Sequence, residues 1–105
     1  MIQVTQEKRS DWCVVGVRGR ADAEAADDLE NALRGALELH SKVAADFAAL
    51  DYISSAGLRA VLQAARAAQE RNADFAVCGL TGGVKKVFEI SGMHHLLRIQ
   101  GELPC

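Results

Sequence analysis

The 105 residues are enough for one domain, and half of them are apolar while a quarter are charged, which is typical of a folded globular protein and excludes a disordered chain. The formal net charge of −2 gives no long-range attraction to nucleic acid or to an anionic membrane surface. Because no apolar run approaches the ~20 residues of a membrane span and the N-terminus carries no secretory signal, we expect a single cytoplasmic domain over residues 1–105, without direct membrane insertion.

Two strands are predicted at the start of the chain. Residues 2–8 alternate apolar and polar side chains, as a half-buried strand does. Residues 12–18 are rich in β-branched side chains and predict a central strand. Since only residues 9–11 separate the two, the pattern favours an antiparallel hairpin.

A helix is predicted next, over residues 23–39. Residues 19–22 interrupt the strand pattern, and Asp22 is a suitable N-cap for the helix that follows. Apolar side chains then recur with the helical period, and acidic residues crowd the early turns, where the positive end of the helix dipole favours them.

The centre of the chain combines a strand, a turn with two serines and a second helix. Residues 43–47 form a short apolar run that predicts a buried strand, and the apolar positions from Leu58 onwards have the helical period. Ser54 stands at the N-cap position, where its hydroxyl accepts a hydrogen bond from an N–H of the first turn. Ser55 is then the first helical residue, at the positive end of the helix dipole. A serine at that place is either structural or a site where phosphate is added and removed.

The remaining elements complete an α/β domain. Residues 74–80 predict a strand, residues 84–91 a shorter helix and residues 96–99 a last strand at the edge of the sheet. The predicted order is β-β-α-β-α-β-α-β. Strands that alternate with helices imply right-handed crossovers, so we expect a mostly parallel central sheet of about five strands with helices.

Asp46 and Asp51 flank the turn before the serines, which raises the question of a metal site or acid–base chemistry. No histidine or second carboxylate pair stands beside them, and the phosphate-binding patterns GxxxxGK[ST] and GxGxxG are absent. The cysteines show no CxxC spacing typical of a zinc site. We therefore predict no metal, no cofactor and no catalytic residue, and we expect Asp46 to accept hydrogen bonds from loop N–H groups. A small enzyme using Asp46, Asp51 and Ser55 is the remote alternative.

Two segments resemble a known family. Residues 52–59, Tyr-Ile-Ser-Ser-Ala-Gly-Leu-Arg, resemble the signature of the STAS family, which is named for sulfate transporters and anti-sigma factor antagonists. Residues 87–93, Val-Phe-Glu-Ile-Ser-Gly-Met, followed by Leu96 and Leu97, resemble the last helix and final strand of that family. The likeness covers essentially the whole chain and implies a STAS-like fold.

The resemblance also implies a bacterial regulator that works by partner switching. In that family the serine matching Ser55 is phosphorylated by an anti-sigma factor that is itself an ATP-dependent serine kinase. The unphosphorylated antagonist binds the kinase and frees a sigma factor, and a metal-dependent serine phosphatase resets it. Many antagonists carry Asp where this chain has Ser54, whereas others carry Ser-Ser, so Ser54 is the second candidate for phosphorylation.

The partner-binding surface implied by the resemblance comprises the start of the second helix and part of the loop over residues 19–22. Its expected members are Ser54, Ser55, Gly57, Leu58, Arg59, Arg20 and Asp22. We expect a monomer or a weak homodimer. The alternative is a non-switching STAS docking module, such as a cytoplasmic subunit of a lipid or anion transporter, in which the serine helix is only a docking face. The intact Ser55 with its Ala-Gly-Leu flank favours the antagonist.

Overall fold

The computed structural model describes residues 1–92 and 98–100. Within them, helices and strands alternate much as predicted, and Met93, Leu96 and Leu97, which carry part of the family resemblance, lie outside the described residues. The elements are β1 (Ile2–Arg9), β2 (Trp12–Ala21), α1 (Ala26–Leu39), β3 (Lys42–Asp46), β4 (Leu50–Ile53), α2 (Ser55–Glu70), β5 (Asp74–Cys78), α3 (Gly82–Ile90) and β6 (Arg98–Gln100).

The strands form one mixed sheet in the order β1-β2-β3-β5-β6, with β4 also beside β2. The hairpin of β1 and β2 is antiparallel, and the other pairs are parallel. The alternation of strands and helices along the chain predicts adjacent parallel strands that are connected by helices. The expected small α/β domain with a mostly parallel sheet is therefore confirmed.

One strand departs from the prediction, because β4 lies where the sequence suggested only a turn. The long strand β2 pairs with β3 through Cys13 to Gly16, and its last residues, Gly19 to Ala21, are then free to pair with β4. Four residues are too few for a clear period, although Leu50 and Ile53 are buried and the two between them are exposed. The consequence is that β4 delivers the serines to the end of β2.

The first helix also begins later than expected, at Ala26 rather than residue 23. Asp22 does not cap it. Instead, its Oδ1 accepts a hydrogen bond from the N–H of Ala25 at 2.9 Å, which closes a turn over residues 23–25 ahead of the helix. An aspartate that bonds a backbone N–H three residues on stabilises a turn as readily as a helix start, and sequence alone does not separate the two.

The main core cluster lies between the sheet and side chains of α1, α2 and α3. Alternate strand residues supply the sheet side of the core, for example Val15, Val43 and Val77, each 0% exposed. At the end of the core nearest β4, the rings of Phe47 and Phe88 pack with their centroids 6.1 Å apart and tilted by 44°. This packing holds α3 against the loop that leads into β4.

Candidate functional site

Ser54 is the N-cap of α2, as predicted, and both hydrogen-bonding functions of its hydroxyl are in use. The oxygen accepts a bond from the N–H of Gly57 at 3.1 Å, and the hydroxyl donates to the carbonyl oxygen of Ala21 at 2.9 Å. The backbone N–H of Ser54 donates to the same carbonyl, also at 2.9 Å. Ser54 therefore fastens the start of α2 to the end of β2 and lies partly buried between them.

Ser55 has the opposite environment. It is the first residue of α2, its side chain is exposed, and within the described residues that side chain makes no hydrogen bond. The first hydrogen bond of the helical type runs from the N–H of Leu58 to the carbonyl of Ser54, so the N–H groups of Ser55 and Ala56 have no helical acceptor. An oxyanion on Ser55 would meet these N–H groups and the positive end of the helix dipole.

Gly57 is buried and serves packing. A Cβ at this position would lie 2.8 Å from Cγ1 of Ile53 and 2.9 Å from the carbonyl oxygen of Ala21, closer than side-chain carbons approach such atoms. A glycine thus lets α2 start directly over the ends of β2 and β4. Its predicted place in the partner-binding surface is indirect, since a buried glycine positions its neighbours and offers no side chain to a partner.

The remaining predicted surface residues lie on both sides of the serines. Leu58 is half-buried and packs against the core, while Arg59 is exposed. Arg20 is exposed at the end of β2, and Asp22 follows it in the loop. Because parallel strands end at the same edge of a sheet, the ends of β2 and β4 bring the loop and the helix start together.

An aromatic residue that the sequence did not single out belongs to this surface. Tyr52 of β4 pairs with Arg20 of β2, and the Arg20 guanidinium carbon lies 4.4 Å from the centre of the tyrosine ring. Tyr52 is 40% exposed. Such a cation–π contact restrains the arginine by about 0.5–1 kcal/mol at an exposed site. The signal was present in the family-like run, which begins at Tyr52, but the pairing depends on the unexpected strand β4.

Asp22 adds a fixed negative charge to the loop. The hydrogen bond from the N–H of Ala25 is the main cause that lowers the pKa of its carboxyl group, and the ammonium of Met1 and the nearby Arg20 act in the same direction, while partial desolvation opposes them. The ammonium of Met1 lies 3.5 Å from Oδ2 of Asp22 and also donates to the carbonyl of Arg20 at 3.3 Å. The main restraint on the loop is therefore the bond between Asp22 and Ala25, and the exposed contacts with Met1 add little.

Asp46 behaves as a loop anchor, as expected: its Oδ1 accepts a hydrogen bond from the N–H of Ala48 at 3.0 Å. Asp51 is exposed on β4. Over residues 1–92 and 98–100, no group of three or more His, Cys, Asp or Glu side chains is arranged to hold a metal ion. None of the helices in this part of the chain is long and apolar enough to cross a membrane.

Comparison with known proteins identifies similar chains. Residues 4–99 match the family described as "Mlab, STAS domain". The Bordetella bronchiseptica protein described as an anti-sigma factor antagonist, BtrV, is 34% identical over 92 residues, which cover 87% of this chain and 79% of that protein.

Solved structures share the fold. A crystal structure of an anti-sigma factor antagonist from Mycobacterium paratuberculosis superimposes with a TM-score of 0.80 at 22% identity, covering 98% of this chain and 88% of that one. The Bacillus protein SpoIIAA in its phosphorylated form gives a TM-score of 0.69 at 19% identity, covering 97% and 93%.

Proposed function

The chain belongs to the STAS family, and from this membership and the geometry of the two serines we propose that it is an anti-sigma factor antagonist that acts by partner switching. It binds an anti-sigma factor serine kinase while Ser55 carries a free hydroxyl, and phosphorylation of Ser55 releases it. A metal-dependent serine phosphatase restores the binding form. The chain is the substrate of both enzymes, and we expect it to act in the cytoplasm without a cofactor of its own.

The observation that carries the proposal is the contrast between the two hydroxyls. A kinase has to reach the hydroxyl it modifies, and the Ser55 side chain is exposed and unpaired within the described residues. To modify Ser54, a kinase would first have to break its bonds to Gly57 and Ala21, which hold α2 to β2. The contrast supports Ser55 as the phosphate acceptor.

The position of Ser55 also explains how a phosphate switches binding while the fold is kept. A phosphoserine carries about −1.5 to −2 charge, which the N–H groups at the start of α2 and the helix dipole stabilise. The SpoIIAA structure in its phosphorylated form has the same fold, which supports this compatibility. A partner surface fitted to a neutral hydroxyl must instead desolvate the dianion or oppose it with like charge, and either effect lowers affinity.

Intact mass measured after incubation with ATP and each candidate anti-sigma kinase of the same genome tests the proposal. We expect one added phosphate on the wild-type chain, none on Ser55→Ala and one on Ser54→Ala, which is the matched control. A phosphate that persists on Ser55→Ala and disappears from Ser54→Ala would assign the switch to the other serine.

A second candidate comes from the name of the matched family, which is Mlab and not that of an antagonist. In this candidate the chain is a STAS module without a phosphorylation switch, such as a cytoplasmic transporter subunit, and the surface around Ser55 is only a docking face. The same experiment separates the two candidates, because this one expects no phosphate with any such kinase and recovery of a transporter subunit in a pull-down. The exposed Ser55 and the BtrV relative favour the antagonist.

A further inference from the structure

The strand β1 leaves one side of the sheet open. It pairs with β2 along its whole length, from Ile2 opposite Gly19 to Arg9 opposite Trp12, without a bulge. No described residue pairs with its other edge. Ile2 is half-buried against the core, and every other residue of the strand is exposed. The strand contains no proline, and its charged residues are confined to its end, from Glu7 to Arg9.

The hydrogen bonds between β1 and β2 show which residues of β1 point their backbone N–H and C=O groups towards the open edge. The N–H of Arg20 donates to the carbonyl of Met1 at 3.0 Å, and the Met1 amine donates to the carbonyl of Arg20 at 3.3 Å. Hydrogen-bonded pairs alternate along an antiparallel ladder, so the odd-numbered residues of β1 turn their N–H and C=O groups towards β2. The even-numbered residues turn theirs outward, and these are Ile2, Val4, Gln6 and Lys8.

We propose that this open edge pairs antiparallel with β1 of a second copy of the chain, about a two-fold axis at Thr5. Pairing requires outward-facing residues opposite one another, so only registers centred on Thr5 or Gln6 keep nearly the whole strand paired. The register centred on Gln6 places Ile2 opposite Ser10, whose φ of +54° is outside the strand conformation. The register centred on Thr5 uses Met1 instead, which already continues the ladder with Arg20.

The side chains suit the register centred on Thr5. Val4, which is 37% exposed, faces Gln6 of the second copy, and Ile2 faces Lys8, so aliphatic stems of polar side chains cover the apolar ones. On the other face Thr5 meets its own copy and Glu7 meets Gln3. Within residues 2–8 no like-charged side chains stand opposite each other, whereas centring the pair on Glu7 or Lys8 would create such a contact.

The pair is expected to be weak and compatible with partner switching. A single strand pair buries far less than the roughly 800 Å² per partner of a standard interface, so the dimer forms only at high concentration. β1 occupies one side of β2, while β4, which leads into the serines, occupies the other. The edge of β1 that pairs in the dimer therefore faces away from β4.

Amide hydrogen exchange followed by NMR at micromolar and millimolar protein tests the pairing directly. We expect the amides of Thr5 and Glu7 to be protected at both concentrations, because they bond to β2. The amides of Val4, Gln6 and Lys8 should become protected only at the high concentration. Unchanged exchange of these three, with a monomer in sedimentation throughout, would overturn the dimer. If these amides become protected when the kinase is added, but not when the protein concentration is raised, then the open edge of β1 binds the kinase. That result would also overturn the dimer.

Two matched double variants test the register by sedimentation. Val4→Glu with Gln6→Lys places opposite charges across the interface in the register centred on Thr5, and we expect it to dimerise at least as well as wild type. Val4→Lys with Gln6→Lys places like charges there twice, and we expect it to be about tenfold weaker. Equal weakening of both variants would rule out this register. Both positions are exposed, so circular dichroism of the monomers should not change.

Discussion

The hydroxyl of Ser54 donates a hydrogen bond to the carbonyl oxygen of Ala21, 33 residues earlier in the chain, at 2.9 Å. This bond joins the start of α2 to the end of β2, and the hydroxyl oxygen of Ser54 also accepts a hydrogen bond from the N–H of Gly57. Ser54 and Ser55 are therefore adjacent in sequence but have different roles, the first in holding the surface together and the second in presenting a hydroxyl at that surface.

Ser54→Ala should lower the free energy of unfolding by about 1–2 kcal/mol, because it removes an N-cap and leaves the Ala21 carbonyl with one bond fewer. Urea denaturation measures the change. Ser55→Ala is the matched control. Its free energy of unfolding should stay within about 0.5 kcal/mol of the wild-type value, because the hydroxyl that it removes is exposed and makes no hydrogen bond within the described residues. Equal losses from the two variants would contradict the structural role of Ser54.

Gly57→Ala should destabilise the protein by about 1–3 kcal/mol, because the added methyl group meets the backbone oxygen of Ala21 and the side chain of Ile53. This loss is expected although alanine is the better helix former by about 1 kcal/mol. Gly35→Ala in α1 is the control: a Cβ there meets nothing within 4 Å, so the helix should gain stability. Thermal denaturation of both variants checks the difference, and a stabilising Gly57→Ala would show that α2 can move away from β2.

Ser55→Glu should keep the fold and bind the kinase more weakly. A negative charge at the start of a helix is stabilising by about 0.3–1 kcal/mol, so the unfolding midpoint should stay constant or rise. Affinity for the anti-sigma factor kinase, measured by calorimetry, should fall at least about tenfold. The reason is that the glutamate places a charge against a kinase surface that fits a neutral hydroxyl. Ser55→Gln, of similar size without the charge, separates electrostatic from steric loss. If the glutamine variant loses as much affinity, bulk and not charge prevents binding.

Tyr52→Ala should weaken kinase binding, because the Arg20 guanidinium loses the ring that restrains it. Tyr52→Phe keeps the ring and should bind like wild type. Surface plasmon resonance with the immobilised kinase compares the two. If both variants bind equally well, the Arg20–Tyr52 pair lies outside the contact area.

The stabilising contribution of Asp22 should depend on pH. Its carboxyl pKa is lowered in the folded protein from the ordinary value of 3.8, so the stabilisation is complete above that value and is lost as the pH falls through the lower folded-state pKa. The wild type should therefore be more stable than Asp22→Asn at neutral pH, and the difference should shrink in acid. Urea midpoints over an acid-to-neutral series measure it. A difference that does not change with pH would show that the charge of Asp22 is not what stabilises the loop.

The helices and the longer strands follow from local patterns, and these were predictable. The period of apolar residues from Leu58 onwards and the β-branched run in β2 specify α2 and a central strand without any long-range information. The N-cap role of Ser54 is likewise local, since its acceptor contact is with Gly57 in the same turn.

The features that could not be predicted depend on residues distant in sequence. The strand β4 exists because β3 stops pairing with β2 at Gly16 and leaves the end of β2 open, and no pattern within residues 50–53 reports that. The different environments of Ser54 and Ser55 depend on Ala21, and the contact of Arg20 with Tyr52 depends on β4. The start of α1 was missed for a local reason, because an aspartate such as Asp22 suits a turn and a helix start equally.

The contact between Ser54 and Ala21 also has a consequence for how the molecule folds. It closes a loop that contains α1, β3 and β4, so we expect it to form late in folding, once the end of β2 has met β4. A chain still emerging from the ribosome, or one partly unfolded by stress, then has Ser55 on a frayed segment without its flanking loop. A kinase that recognises the assembled surface would ignore such chains, and the signalling pool would consist only of molecules that have completed folding.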